Sequence, residues 1–217
     1  MVDGPVLAVR GEATREVPPE VARFAVTVAA RDRDRQATLT RLGERAAAVR
    51  ALIDGYGDAI ERRETGTLQV RPELKRSGER VVAYQGSVTT TVTVTDFTVL
   101  GELMLRLADQ EQTSVAGPWW ELRPTSPAYR DARRAAIDEA LARAREYAGA
   151  LGARVTALLE LADTGMTNQP MMTRAAFHLD AMGKGGAPEL DLDPQVQTVQ
   201  ASVEARFSIS EPTVLAD

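Results

Sequence analysis

A chain of 217 residues without cysteine excludes disulfides, thiolate catalysis and zinc–thiolate or iron–sulfur sites, and is long enough to bury a core without covalent staples. Its formal net charge of −5 provides no basic face for sequence-independent nucleic-acid binding. No run approaches the ~20 apolar residues of a membrane helix, and the start, Met1-Val2-Asp3-Gly4-Pro5, lacks the basic and apolar regions of a signal peptide. The chain as it stands is therefore expected to be soluble and cytoplasmic.

The first strand is expected at Val6–Arg10, ending at Gly11. A clearer one follows, because Ala22, Phe24, Val26, Val28 and Ala30 alternate with Arg23, Ala25, Thr27 and Ala29. Pro18-Pro19 is read as the turn between them. After the charged stretch Asp32–Arg35, the spacing of Leu42, Ala46, Val49 and Ile53 predicts a helix from about Asp34 to Asp54, stopped by Gly55 and Gly57.

Thr67–Leu74 and Arg80–Thr95 read as a hairpin around Ser77-Gly78. In its second strand Val82, Tyr84, Val88, Val92 and Val94 face one way, and Gln85, Ser87, Thr89, Thr91, Thr93 and Thr95 the other. A threonine-rich face suits a sheet with one wet side. Asp96 caps a short helix whose Leu100, Leu103, Met104, Leu107 and Ala108 follow the helical repeat. A strand near Ser114–Leu122 carries Trp119-Trp120.

Ser126-Pro127 is an N-cap followed by a proline at the first helical position. The helix it starts runs to Gly152, with Ala132, Ala136, Ala140, Ala144 and Ala148 in one stripe that lets it lie close to a sheet. Arg154–Ala162 is a strand, Asp163–Pro194 has no sustained period, and Val199–Ile209 alternates cleanly as a last strand. The predicted fold is α+β: a mostly antiparallel sheet with helices on one face, in two intertwined halves of ββα type. Residues 1–217 form a single domain, with 163–194 a long irregular loop rich in methionine.

Four passages together resemble the SIMPL-domain family. They are Val9-Arg10-Gly11-Glu12 with Pro18-Pro19-Glu20-Val21-Ala22, then Ala83-Tyr84-Gln85-Gly86 with its Val/Thr strand, then Ala132–Ala136 running on to Leu151-Gly152, and the closing strand Val199–Ile209. The resemblance covers nearly the whole chain. It differs in having Glu20 where the family usually has Asp, and Arg where Lys is common. The resemblance implies an obscure function, with envelope or periplasmic members, proposed links to stress response, and self-assembly in some. It carries no catalytic residue.

The candidate contact residues are Trp119, Trp120, Met166, Met171, Met172, His178 and Met182. Alternation along a strand points one indole inward and offers the other as a partner anchor. The four methionines flank the only histidine; thioethers with an imidazole suit Cu(I), but flexible methionines more simply make a sticky flap. Asp32, Asp34, Glu189, Asp191 and Asp193 lack calcium-loop spacing, and the glycines around Lys184 lack the strand and helix of a phosphate loop. No catalytic, metal or cofactor site is expected. The leading expectation is a non-enzymatic module that forms a homo-oligomer or binds a protein partner, with no nucleic acid. The alternatives are a carrier of a small ligand or metal with 163–194 as its lid, and an uncharacterised enzyme.

Overall fold

Alternation with period two and the capping residues lay out the elements of the computed structural model, which describes residues 4–75, 78, 80–163 and 190–215. In order they are β1 (Val6–Val17), β2 (Val21–Asp32), α1 (Arg35–Asp54), β3 (Ile60–Leu74), β4 (Val81–Val94), α2 (Leu100–Ala108), β5 (Thr113–Glu121), α3 (Pro127–Ala150), β6 (Val155–Asp163) and β7 (Gln197–Ile209). The predicted order of strands and helices is the observed one, and the α+β class holds. The caps act as expected: the Asp34 carboxylate accepts from Ala37 N at 2.8 Å, Asp96 from Thr98 N at 3.0 Å, and Ser126 Oγ from Ala128 N at 3.3 Å.

The strands divide between two antiparallel sheets, β1-β7-β6 and β3-β4-β2-β5. The chain correspondingly separates into two compact units. Of the described residues, one unit comprises 4–17, 124–163 and 197–215, the other those within 18–123 and 190–196. Pro18-Pro19 does separate the first two strands, but the hairpin implied by a ββα first half is corrected. β1 pairs along its whole length with β7, from Val6 opposite Ser208 to Val17 opposite Gln197, and β2 lies between β4 and β5. Two consecutive prolines have no N–H with which to close a tight hairpin, so Pro18-Pro19 ends one ladder and releases the chain into another.

In the four-stranded unit, Phe24, Val26 and Val28 of β2 and Val92 and Val94 of β4 meet Leu42, Val49 and Ile53 of α1 and Leu100, Leu103 and Leu107 of α2. In the three-stranded unit the alanine stripe of α3 packs on Val9, Val203, Ala205 and Phe207. The pattern of β4 departs from expectation at its hairpin end. Val82 is exposed, while Ala83 is only 1% exposed. Ala83 stands opposite Glu73, whose carboxylate reaches across β4 to Arg31 (2.7 Å).

Candidate functional site

Strand alternation separates the two tryptophans as expected. Trp120 stands opposite Ala22 on the helix-covered face and meets the Phe97 ring edge-on, with centroids 4.9 Å apart at 79°. Trp119 stands opposite Arg23 and is 43% exposed. Arg23 Nη1 donates to both Glu121 oxygens at 3.3 Å. An exposed indole beside a neutralised ion pair is suited to apolar contact, not to charge recognition. The remaining predicted contact residues, Met166, Met171, Met172, His178 and Met182, lie outside the described residues, as does most of the expected 163–194 loop.

The threonine face is built as the pattern implied. Thr27 Oγ1 and Thr89 Oγ1 share a hydrogen bond of 2.8 Å across β2 and β4, and both side chains are half-buried. Of the acids weighed for calcium, Asp32 and Asp34 have local contacts, and Glu189 lies outside the described residues. Asp32 accepts from Asp34 N at 3.0 Å and pairs with Arg41 at 2.9 Å, and the first of these contacts holds its carboxyl below the usual range. Among the described residues no group of three or more His, Asp or Glu is placed to hold a metal ion.

Two hollows border the three-stranded unit. One, of about 320 Å³, lies on the sheet and is bordered by Arg10, Glu160, Glu204 and Arg206. Arg206 lies 3.5 Å from Glu160, and Arg10 pairs with Glu12 at 3.0 Å and donates to Ser202 at 2.8 Å. The other, of about 480 Å³, opens at the start of α3 beside Tyr129, Arg130 and Arg133.

The feature that the sequence reading did not single out is aliphatic exposure on edge strands. α1 packs mainly over β2 and β4 and meets β3 through the Arg63–Asp54 ion pair, while Leu68 and Leu74 of β3 are 61% and 51% exposed. α3 packs over β1 and β7, and Leu158 and Leu161 of β6 are 54% and 46% exposed. Both strands end their sheets, so each has one edge that no described strand pairs. A leucine in a sequence carries no mark of whether a helix will reach it. The only available signal was the charged run Glu61–Glu64, which breaks apolar alternation as an edge strand does.

Comparison with known proteins gives one family. The SIMPL profile, described as a protein of unknown function (DUF541), matches residues 7–207. No curated protein sequence matches the chain. A crystal structure of a candidate amidohydrolase/peptidase from Burkholderia cenocepacia is 18% identical, with a TM-score of 0.29, over 61% of this chain and 34% of that one. The chain thus spans about a third of that protein's length, and likeness at this level carries no argument about activity.

Proposed function

The chain belongs to the SIMPL family, and from that premise we propose that it works as a non-catalytic module which associates with copies of itself, or with a protein partner, through open sheet edges. The observation that supports this reading is the coincidence of exposed leucines with edge strands at β3 and β6. An added strand satisfies the backbone groups of the edge, and covering the exposed half of each leucine contributes about 1 kcal/mol. Trp119 offers a further apolar anchor on β5. The proposed setting, stress response or the cell envelope, comes from the family resemblance and from no residue of the structure. No described helix is long and apolar enough to cross a membrane.

Light scattering after size-exclusion chromatography tests the reading. The expected mass is a multiple of the monomer, lowered by at least one of Leu68→Asp and Leu158→Asp. A monomer at every concentration would overturn self-association.

A further inference from the structure

The edges are not equally suited to a second copy. β5 carries Pro118, which has no N–H to donate. On β1, the amide of Glu12 already donates to Glu139 of α3 at 3.3 Å. The charges of β6 are only acidic, Glu160 and Asp163, and its register with β7 shifts twice within the strand. β3 is different. It is the longest strand, exposed along nearly all of its length, and its charges have both signs.

Pairing with β4 fixes which β3 side chains share a face. Arg62, Glu64, Arg71 and Glu73 stand opposite Thr93, Thr91, Gln85 and Ala83, all on the face away from the helices. Thr65, Leu68 and Val70 stand opposite Thr90, Val88 and Gly86, on the other face. The register shift between Thr65 and Leu68 keeps this assignment consistent along the strand. Arg62 and Glu64 pair with each other along the strand and Glu73 pairs with Arg31, so cross-chain pairing would share or exchange these partners, whereas Arg71 touches Gln85 at 3.2 Å and has no acidic partner among the described residues.

Resting on the self-association reading, we infer that β3 pairs antiparallel with β3 of a second copy about a two-fold axis near Thr67 and Leu68, joining the two sheets. In this register Glu64 faces Arg71 of the partner subunit, Arg62 faces the partner's Glu73, and Thr65 faces the partner's Val70. Every pair is made twice, and each charge pair lies on the face away from the helices. Opposite charges directly across a ladder stabilise it, and like charges destabilise it. Sliding the ladder by one pleat sets Arg62 against the partner's Arg71, or Glu64 against the partner's Glu73. A slip of a single residue places charged side chains opposite apolar ones on the wrong face. Charge complementarity therefore selects one register and identifies the occupant as this chain itself. Leu68, the most exposed large hydrophobic side chain of β3, lies at the centre of the contact.

Charge exchange between two variants tests this with the intact chain. Arg71→Glu sets glutamate against Glu64 at both ends of the dyad, and Glu64→Arg sets arginine against Arg71. Each variant alone is expected to lose the contact, halving the mass seen by light scattering. An equimolar mixture is expected to regain the wild-type mass, since every cross-chain pair is again of opposite sign. Far-UV circular dichroism of each variant establishes that it is folded. If the wild type is multimeric and neither variant alters its mass, the β3 register is wrong while self-association stands. If both variants dissociate and the mixture does not reassemble, the complementarity is wrong. A monomeric wild type overturns both readings.

Discussion

In the four-stranded unit the helices stand away from the sheet on Phe24, Leu100, Leu103 and Leu107, each essentially inaccessible. In the three-stranded unit α3 lies almost on the backbone of β1. A Cβ added at Gly11 would come within 2.1 Å of Ala136 O and 2.6 Å of Ala140 N. Both units bury one face of an antiparallel sheet under helix, but by opposite choices of side-chain size. Large side chains supply apolar area and leave a cavity when removed. Small ones supply close approach and leave no room for growth. One core should thus be sensitive to loss of volume, the other to gain.

The largest expected effect tests the first half of this contrast. Phe24→Ala removes a side chain with 0% exposure and should cost about 3–5 kcal/mol. Because both tryptophans are on β5, fluorescence during urea unfolding reports on this unit directly. A loss below about 1 kcal/mol would mean that the site collapses freely and the core is not tightly packed. Gly11→Ala tests the second half. One methyl directed at helix backbone should destabilise the three-stranded unit by about 3 kcal/mol, the upper part of the usual range for overpacking. Far-UV circular dichroism is the readout, and an unchanged midpoint would show that α3 does not lie so close. Ser126→Ala sharpens the comparison with the smallest change. It removes the cap of α3 and should cost about 1 kcal/mol without altering packing, so it sets the scale for a perturbation confined to the end of that helix.

Much of this was legible in the amino-acid order because it is local. The Ser126-Pro127 cap, the Asp34 and Asp96 caps, the leucine repeat of α2 and the alternation of β2 and β7 all depend on neighbours a few positions away. The partner of β1 was not legible. Its alternation is compatible with any strand of matching length, and the one it selects is at the far end of the sequence. β3 was expected from Thr67 and begins at Ile60, since both faces of Glu61–Thr65 are exposed and no apolar repeat marks the strand. Of the candidate contacts, the division between Trp119 and Trp120 followed from strand periodicity alone. Exposure of Leu68, Leu158 and Leu161 did not, because it depends on where a helix stops reaching across a sheet.

The ladder between β1 and β7 also bears on how the chain is born. At about 5–20 residues per second, the residues 18–196 that separate the two strands take roughly 9–36 s to synthesise. Throughout that interval β1 has left the ribosome and its partner does not yet exist, while all four strands of the other sheet emerge and can pair. The nascent protein must therefore keep its first strand from pairing elsewhere until its last is made. The alternating Arg10, Glu12, Arg15 and Glu16 are suited to that wait, since charges along an unpaired strand oppose aggregation.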